Sequence, residues 1–375
     1  MRIKVERQMK ITEIHIYQHD LEIKGKPYKM SLSEVKSLDT TIVEMVTDSG
    51  ISGFGEVCPL GPTYQEAHAL GARAALSEIA PKLIGMNPLH YGKVMHQCDL
   101  ALMGHLYAKA AIDMALWDII GKHYSAPISS LLGGAKRAKV PSYYAISIDS
   151  PDEVARMTIE KEAQGFTRLQ IKVGGRDVEE DIAVARKVFE VKKPTTTVAL
   201  DANRALTTTQ VMHLSQSCRD LNFVLEQPCD KYQELKAIKT SLCHPLYMDE
   251  SAKDLPNITQ SIVEGVADGF GIKVTRVGGI SAMRSIIDIC HAHQKPLSCD
   301  DSWGGDLVAA ACVHLGGIVN PSLSRGIWIA APYIDEPYDT LKSVQINDGW
   351  IDVPKGPGLG VVPDTSMFIL SQSYS

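Results

Sequence analysis

The sequence predicts an α/β protein: a (β/α)8 barrel of parallel strands and outer helices, preceded by an α+β block. Three observations carry that expectation. Residues 1–134 show strand-like and then helix-like periodicity; residues 135–340 repeat a β-rich run and a helical stretch eight times; and residues 341–375 revert to strand and turn signals, as a tail returning to the first block would. A length of 375 residues suits two ordinary domains or one barrel with an appendage.

Composition narrows the function classes. Hydrophobic residues make up 45% and charged residues 22%, the balance of a soluble globular protein. A net charge of -6 leaves no excess of cations to neutralise a phosphate backbone, so a nucleic-acid partner is not expected. The most apolar run, Leu307 to Val319, is short for a membrane span and carries His314, so it reads as a buried helix. Met1 to Lys10 alternates charge with hydrophobe and lacks the apolar run of a secretory signal, which points to the cytoplasm. The eight cysteines contain no C-x-x-C pair; they read as reduced, mostly buried thiols.

In the first block, Ile11, Ile14, Ile16 and Tyr17, then Thr41 to Thr47 with the turn Asp48-Ser49-Gly50, predict an antiparallel meander. Residues 63 to 131 change period: Ala67, Leu70, Ala74, Leu76 and Ile79, and later Ala108 to Ile120, have helical spacing, punctuated by Pro59, Pro62, Pro81, Pro88 and Pro127. After Gly134 the predicted strands are Val140–Ile146, Arg168–Val173, Thr197–Asp201, Asn222–Glu226, Pro245–Asp249, Gly269–Lys273, Pro296–Asp300 and Pro321–Trp328. The last seven place Lys172, Asp201, Glu226, Asp249, Lys273, Asp300 and Trp328 at or near their carboxyl ends, in steps of 23 to 29 residues. That step holds one strand plus one helix, and eight such units close a barrel.

Side chains at the carboxyl ends of barrel strands converge on one mouth. Asp201, Glu226 and Asp249 on three consecutive strand ends can reach one point, where unshared negative charge would raise their pKa values. A hard divalent cation relieves that repulsion, and an all-oxygen donor set suits Mg2+. Lys172 and Lys273 end the second and sixth strands, on opposite walls of an eight-stranded ring, so their amines should face each other across whatever the cation holds. With their pKa values lowered by that cation, and for Lys273 by Arg276 three residues on, they are candidate bases for removing an α-proton and returning one.

These residues resemble the enolase superfamily, and within it the mandelate racemase/muconate lactonizing enzyme group. The matching motifs are Leu169-Gln-Ile-Lys-Val173, Asp201-Ala-Asn203, Glu226-Gln-Pro228, Asp249-Glu-Ser251 and Gly271-Ile-Lys273, with Ala108 to Asp118 similar to the family's cap helix and Pro357-Gly-Leu-Gly360 to its C-terminal return. The resemblance implies a modified (β/α)8 TIM barrel under an α+β capping domain built from residues 1–134 and the tail 341–375, with residues 135–340 as the catalytic barrel. It also implies a stabilised ene-diolate and an assembly of several copies. Met9-Lys-Ile-Thr-Glu-Ile14 looks like the family's opening strand, so translation could start at Met1 or at Met9. Where the family often has Lys-x-Lys on the second strand, this chain has Gln170 ahead of Lys172; Gln170 is expected among the substrate-facing residues.

The substrate is read from the surrounding residues. Trp328 offers an aromatic face, which attracts quaternary ammonium ions, and Asp300 and Asp301 offer a carboxylate beside it. Cys58 to Tyr64 looks like the cap loop that closes over substrate, placing Tyr64 against the ligand. Together they resemble members that racemise or epimerise proline betaine and 4-hydroxyproline betaine, small carboxylates. Within the same superfamily, a cis-3-hydroxyproline-type dehydratase, a cycloisomerase or a dipeptide epimerase also fits the lysine pair. From another class, a non-catalytic Mg2+-dependent binding protein would make the lysines expendable.

Overall fold

The computed structural model describes residues 9–30 and 34–375. The choice between Met1 and Met9 as a start, and the charge alternation ahead of Met9, lie outside the described residues. The first block forms the antiparallel strands β1 (Ile11–Glu22), β2 (Ser37–Thr47) and β3 (Ser52–Val57), followed by helices α1 (Ala69–Ile79), α2 (Tyr91–Ala101) and α3 (Leu106–His123). Alternation places Ile14 opposite Met45 and Ile16 opposite Val43, all buried on one face. Against that face lies α3, so close that a Cβ at Gly55 would sit 1.9 Å from the carbonyl oxygen of Ala111, which only glycine avoids. The other side of α3 meets the barrel, where Trp117 Nε1 donates to Ser281 Oγ at 2.7 Å. Helix α3 is therefore buried nearly all round, as a helix between two layers must be, with Lys109, Asp113 and Asp118 among its buried side chains.

The barrel strands are β4 (Tyr144–Ile146), β5 (Arg168–Lys172), β6 (Thr197–Asp201), β7 (Phe223–Glu226), β8 (Leu246–Met248), β9 (Gly269–Lys273) and β10 (Leu297–Asp300), parallel and adjacent in chain order. Between and after them run α4 (Pro151–Ala163), α5 (Val178–Val191), α6 (Thr208–Ser217), α7 (Tyr232–Ile238), α8 (Leu255–Val263), α9 (Ile280–Ala292) and α10 (Asp306–Ile318). Local signals set several starts: Ser150 caps α4 with Pro151 in its first turn, and Thr207 and Gln210 form a capping box on α6. The run around His314 is the buried helix α10, and the imidazole accepts from Ser129 N and donates to the Leu359 carbonyl.

Three runs differ from expectation. The eighth, Pro321–Trp328, is not a regular strand, because Gly326 takes φ +83°, and a Cβ there would meet the Pro141 carbonyl at 2.7 Å. It still closes the ring: Arg325 N donates to Leu297 O and Cys299 N to Gly326 O on one side, and Ile327 N to Pro141 O and Tyr143 N to Ile327 O on the other. The first run, Val140–Ile146, is split after Pro141, which lacks the N–H that a continuous ladder would use. Its leading part, Lys139–Pro141, pairs instead with β11 (Trp350–Asp352), so that part of the tail lies on the barrel, while Gly358 and Leu359 return to the first block, bonded to Ala126, Ile128 and the Asp118 carboxylate. The return to the first sheet comes later, through β12 (Ile369–Tyr374), whose Tyr374 lies opposite Ile14.

All eight cysteines are free thiols and only Cys243 is exposed. Among the described residues, no helix is long and apolar enough to cross a membrane.

Candidate active site

Parallel register builds the site. Lys172 lies opposite Asp201, Asp201 opposite Glu226, and Lys273 opposite Asp300. Residues level with one another on adjacent strands share a face, so these side chains point into one mouth. Asp249 is the first residue after β8, and its backbone N–H donates to Gln227 Oε1 at 3.0 Å, which fixes its approach. Asp201, Glu226 and Asp249 are buried, and each brings a carboxylate oxygen within 4.8 Å of the other two. Glu226 Oε2 has no hydrogen-bond partner, with the nearest cationic nitrogen, Arg168 Nη2, at 3.7 Å. A buried orphan oxygen between two further carboxylates is the donor set a hard divalent cation requires.

Charge in the mouth is unevenly distributed. Burial, then the Asp201 and Asp249 carboxylates, push Glu226 well above the usual carboxylate range. Burial also opposes ionisation of Asp249, but Lys273 and Arg276 outweigh it and hold that carboxyl low. Arg276 Nη1 donates to Asp249 Oδ1 at 2.6 Å and to its carbonyl at 2.8 Å, so it buttresses a carboxylate and does not act directly on Lys273. Both lysines are buried. Burial pulls the Lys172 ammonium down, yet Asp201 at 2.5 Å, Tyr28 and Glu226 raise it above its ordinary value; burial likewise opposes Lys273, which Asp249 at 3.2 Å and Asp300 at 3.6 Å raise. The expected lowering is therefore absent from the protein's own groups. It requires a cation that draws on the same carboxylates.

Lys172, Lys273, Gln170, Tyr64, Asp301 and Trp328 all line one tight cavity of about 30 Å³. Gln170 Nε2 donates to Glu226 Oε1 at 2.9 Å, and the Tyr64 hydroxyl donates to Asp249 Oδ2 at 3.3 Å. Asp301 Oδ1 accepts from Thr275 Oγ1 at 2.5 Å while Oδ2 has no partner, and burial pushes this carboxyl up to about 7. Asp300 does not line the cavity. Its Oδ2 accepts from Tyr143 and Ser298 and its Oδ1 from the Trp328 backbone N–H, so both oxygens are engaged within the protein, where they hold Lys273 and the eighth segment in place.

Tyr28, Tyr143 and Trp303 were not expected here and complete the walls. Trp303 meets Trp328 edge-to-face at 5.1 Å and Tyr28 at 5.4 Å. Trp303 follows the seventh strand end by three residues, and Tyr143 lies within a predicted strand, so position alone could have nominated both. Tyr28 comes from the cap ahead of β2 and had no such signal. Outside this cavity, Tyr64 and Arg276 also border a cleft of about 1020 Å³.

Comparison with known proteins agrees with this geometry. Residues 11–133 match the mandelate racemase/muconate lactonizing enzyme N-terminal domain, and residues 152–367 match the enolase C-terminal domain-like family. A cis-3-hydroxy-L-proline dehydratase from Roseibium aggregatum is 38% identical over 82% of this chain and 84% of its own length. A hydrophobic dipeptide epimerase from Enterococcus faecalis is 30% identical over 75% of this chain and 79% of its own. The crystal structure of an enolase superfamily member from Roseovarius nubinhibens, complexed with magnesium, superposes with a TM-score of 0.93 at 31% identity, covering 98% of this chain and all of that one. Family match over both halves, fold likeness and the buried acidic trio lead to one conclusion: the chain belongs to the mandelate racemase/muconate lactonizing enzyme group of the enolase superfamily, enzymes whose cofactor is Mg2+.

Proposed function

We propose that this enzyme transfers a proton at the α-carbon of a small N-methylated amino acid, of the proline betaine or 4-hydroxyproline betaine class, racemising or epimerising it through a planar ene-diolate. One observation carries the reading: Lys172 and Lys273, four strands apart in the ring, are both buried and both open onto the same cavity. Asp201, Glu226 and Asp249 would hold Mg2+, which when bound offsets negative charge on the substrate carboxylate and so makes the α-proton more acidic. One lysine, as the free amine, takes that proton; the other, as the ammonium, delivers one to the opposite face. Which lysine acts first depends on the enantiomer presented. No leaving group is involved, and proton return restores the starting composition.

The walls support a compact cationic substrate. Tyr28, Trp303 and Trp328 present aromatic surfaces, which attract a quaternary nitrogen, and Asp301 supplies the carboxylate beside them. Tyr64 and Gln170 close the sides. The free space of about 30 Å³ is small, which favours a compact ligand. A dipeptide would need far more. We read the protein as a cytoplasmic homo-oligomer.

Deuterium incorporation at the α-carbon of proline betaine in D2O with Mg2+ tests the proposal. Exchange that disappears when Lys172 and Lys273 are both replaced supports it; no exchange with any small carboxylate favours a binding protein. A second reading, dehydration of a hydroxyproline, is favoured by the 38% identity to the Roseibium aggregatum dehydratase. It shares the first proton transfer and then expels a β-hydroxyl. Loss of optical rotation without a new product separates the racemase from it.

A further inference from the structure

The cavity has two walls from different layers, and a residue that touches neither the cavity nor the carboxylate trio ties them together. Glu56, in β3 of the cap, is fully buried. Its Oε1 accepts from Thr40 Oγ1 at 2.8 Å and from Gly305 N at 2.8 Å; its Oε2 accepts from Val308 N at 3.2 Å and from the Tyr338 hydroxyl at 2.6 Å. Gly305 and Val308 belong to the start of barrel helix α10, which no side chain of its own flanking residue caps. A cap strand thus supplies the N-terminal acceptor of a barrel helix. The segment ahead of Gly305 carries Asp301, Ser302 and Trp303, and the segment after Glu56 carries Leu60 and Tyr64, all of which line the cavity. Gly304, at φ +152°, packs where a Cβ would lie 2.2 Å from Val308 Cγ1, so the barrel segment has little freedom to shift alone.

We propose that Glu56 is a positioning residue that sets the gap between the cap wall and the Asp301–Trp303 wall, and so controls substrate affinity in the reaction proposed above, on which this inference rests. The lysines and acidic trio hang from other strands and should be untouched. An amide cannot reproduce the clamp, since one of its two ends would present N–H to a backbone or hydroxyl donor.

The test compares Glu56→Gln with Thr40→Val in the full-length protein with Mg2+. Thr40→Val removes one hydrogen bond to Glu56 but leaves its grip on Gly305 and Val308. The edge-to-face pair Trp303–Trp328, 80° apart, should give a near-ultraviolet circular dichroism signal that needs no substrate. Glu56→Gln should alter that signal and raise the KM for proline betaine about tenfold with kcat within about threefold, while Thr40→Val costs thermal stability only. The proposal is overturned if Glu56→Gln keeps the native dichroism and KM, or if both variants change them equally, which would mean a general loss of structure. Should the native protein turn over no proline betaine, the function reading fails, and the dichroism comparison alone decides the role of Glu56.

Discussion

Lys172 Nζ lies 2.5 Å from Asp201 Oδ2, its level neighbour on the next strand, so a candidate base is bonded directly to a candidate metal ligand. The two functions compete for one carboxylate. Replacing either lysine by alanine should abolish racemisation, with a loss of about 100-fold or more, yet leave exchange into the one enantiomer whose α-proton faces the surviving amine. NMR-detected exchange of each separate enantiomer checks this. Equal loss with both enantiomers in each single variant would refute opposed lysines.

Gln170 donates to Glu226 Oε1 and places an uncharged amide two residues ahead of Lys172 on the same face of the strand. In Gln170→Lys, a second ammonium should disfavour the charged form of Lys172, lower its pKa and move the rising limb of the pH–rate profile down by about one unit. A limb that stays in place, or moves up, contradicts the assignment of Lys172 as the base.

Asn203 Nδ2 bridges Asp201 Oδ2 at 3.2 Å and Glu250 Oε1 at 3.1 Å. Asn203→Ala should weaken Mg2+ binding by about 10- to 100-fold, as loss of a ligand-orienting contact does, with calorimetric titration as the measurement. Unchanged affinity would place the cation elsewhere.

Trp328 and Trp303 should contribute by attraction of a cationic nitrogen. Trp328→Leu is expected to raise the KM for a betaine about tenfold and to affect an uncharged analogue little. Equal effects on both would reduce the tryptophan to packing.

His314 is held neutral: burial lowers its pKa to about 4, with only the Leu359 carbonyl opposing. Between about 6.5 and 4 the unfolded chain binds this proton and the folded chain does not, so stability is lost as pH falls through that window. Relative to His314→Gln, the native protein should lose about 3 kcal/mol between pH 7 and pH 4, read from urea midpoints.

The barrel and the meeting of the candidate site residues in one mouth were legible in the sequence because both depend on chain-local spacing. One strand plus one helix fixes the step, and level positions on parallel strands then put Lys172, Asp201 and Glu226 side by side. What local spacing missed depends on distant partners. Asp300 falls on the step as well as any residue, but Tyr143, Ser298 and the Trp328 backbone use its oxygens. The eighth run has strand composition, yet contact of Gly326 with Pro141 bends it. Tyr28 reaches the cavity only because the cap folds onto the barrel, where its neighbours Glu22, Lys24 and Lys29 bond to Asp335, Tyr333 and Ile148, partners more than a hundred residues away in the chain.

The pairing of β1 with β12 has a consequence for synthesis on the ribosome. Residues 22 and 369 bound a stretch that takes roughly 20 to 70 s to translate, and throughout that time one edge of β1 has no strand to bond. The catalytic ring can close first, but the sheet above it is finished only when Ile369 to Tyr374 emerge. A nascent chain stalled before that point would carry an unpaired edge on β1, the kind of edge that pairs with another chain.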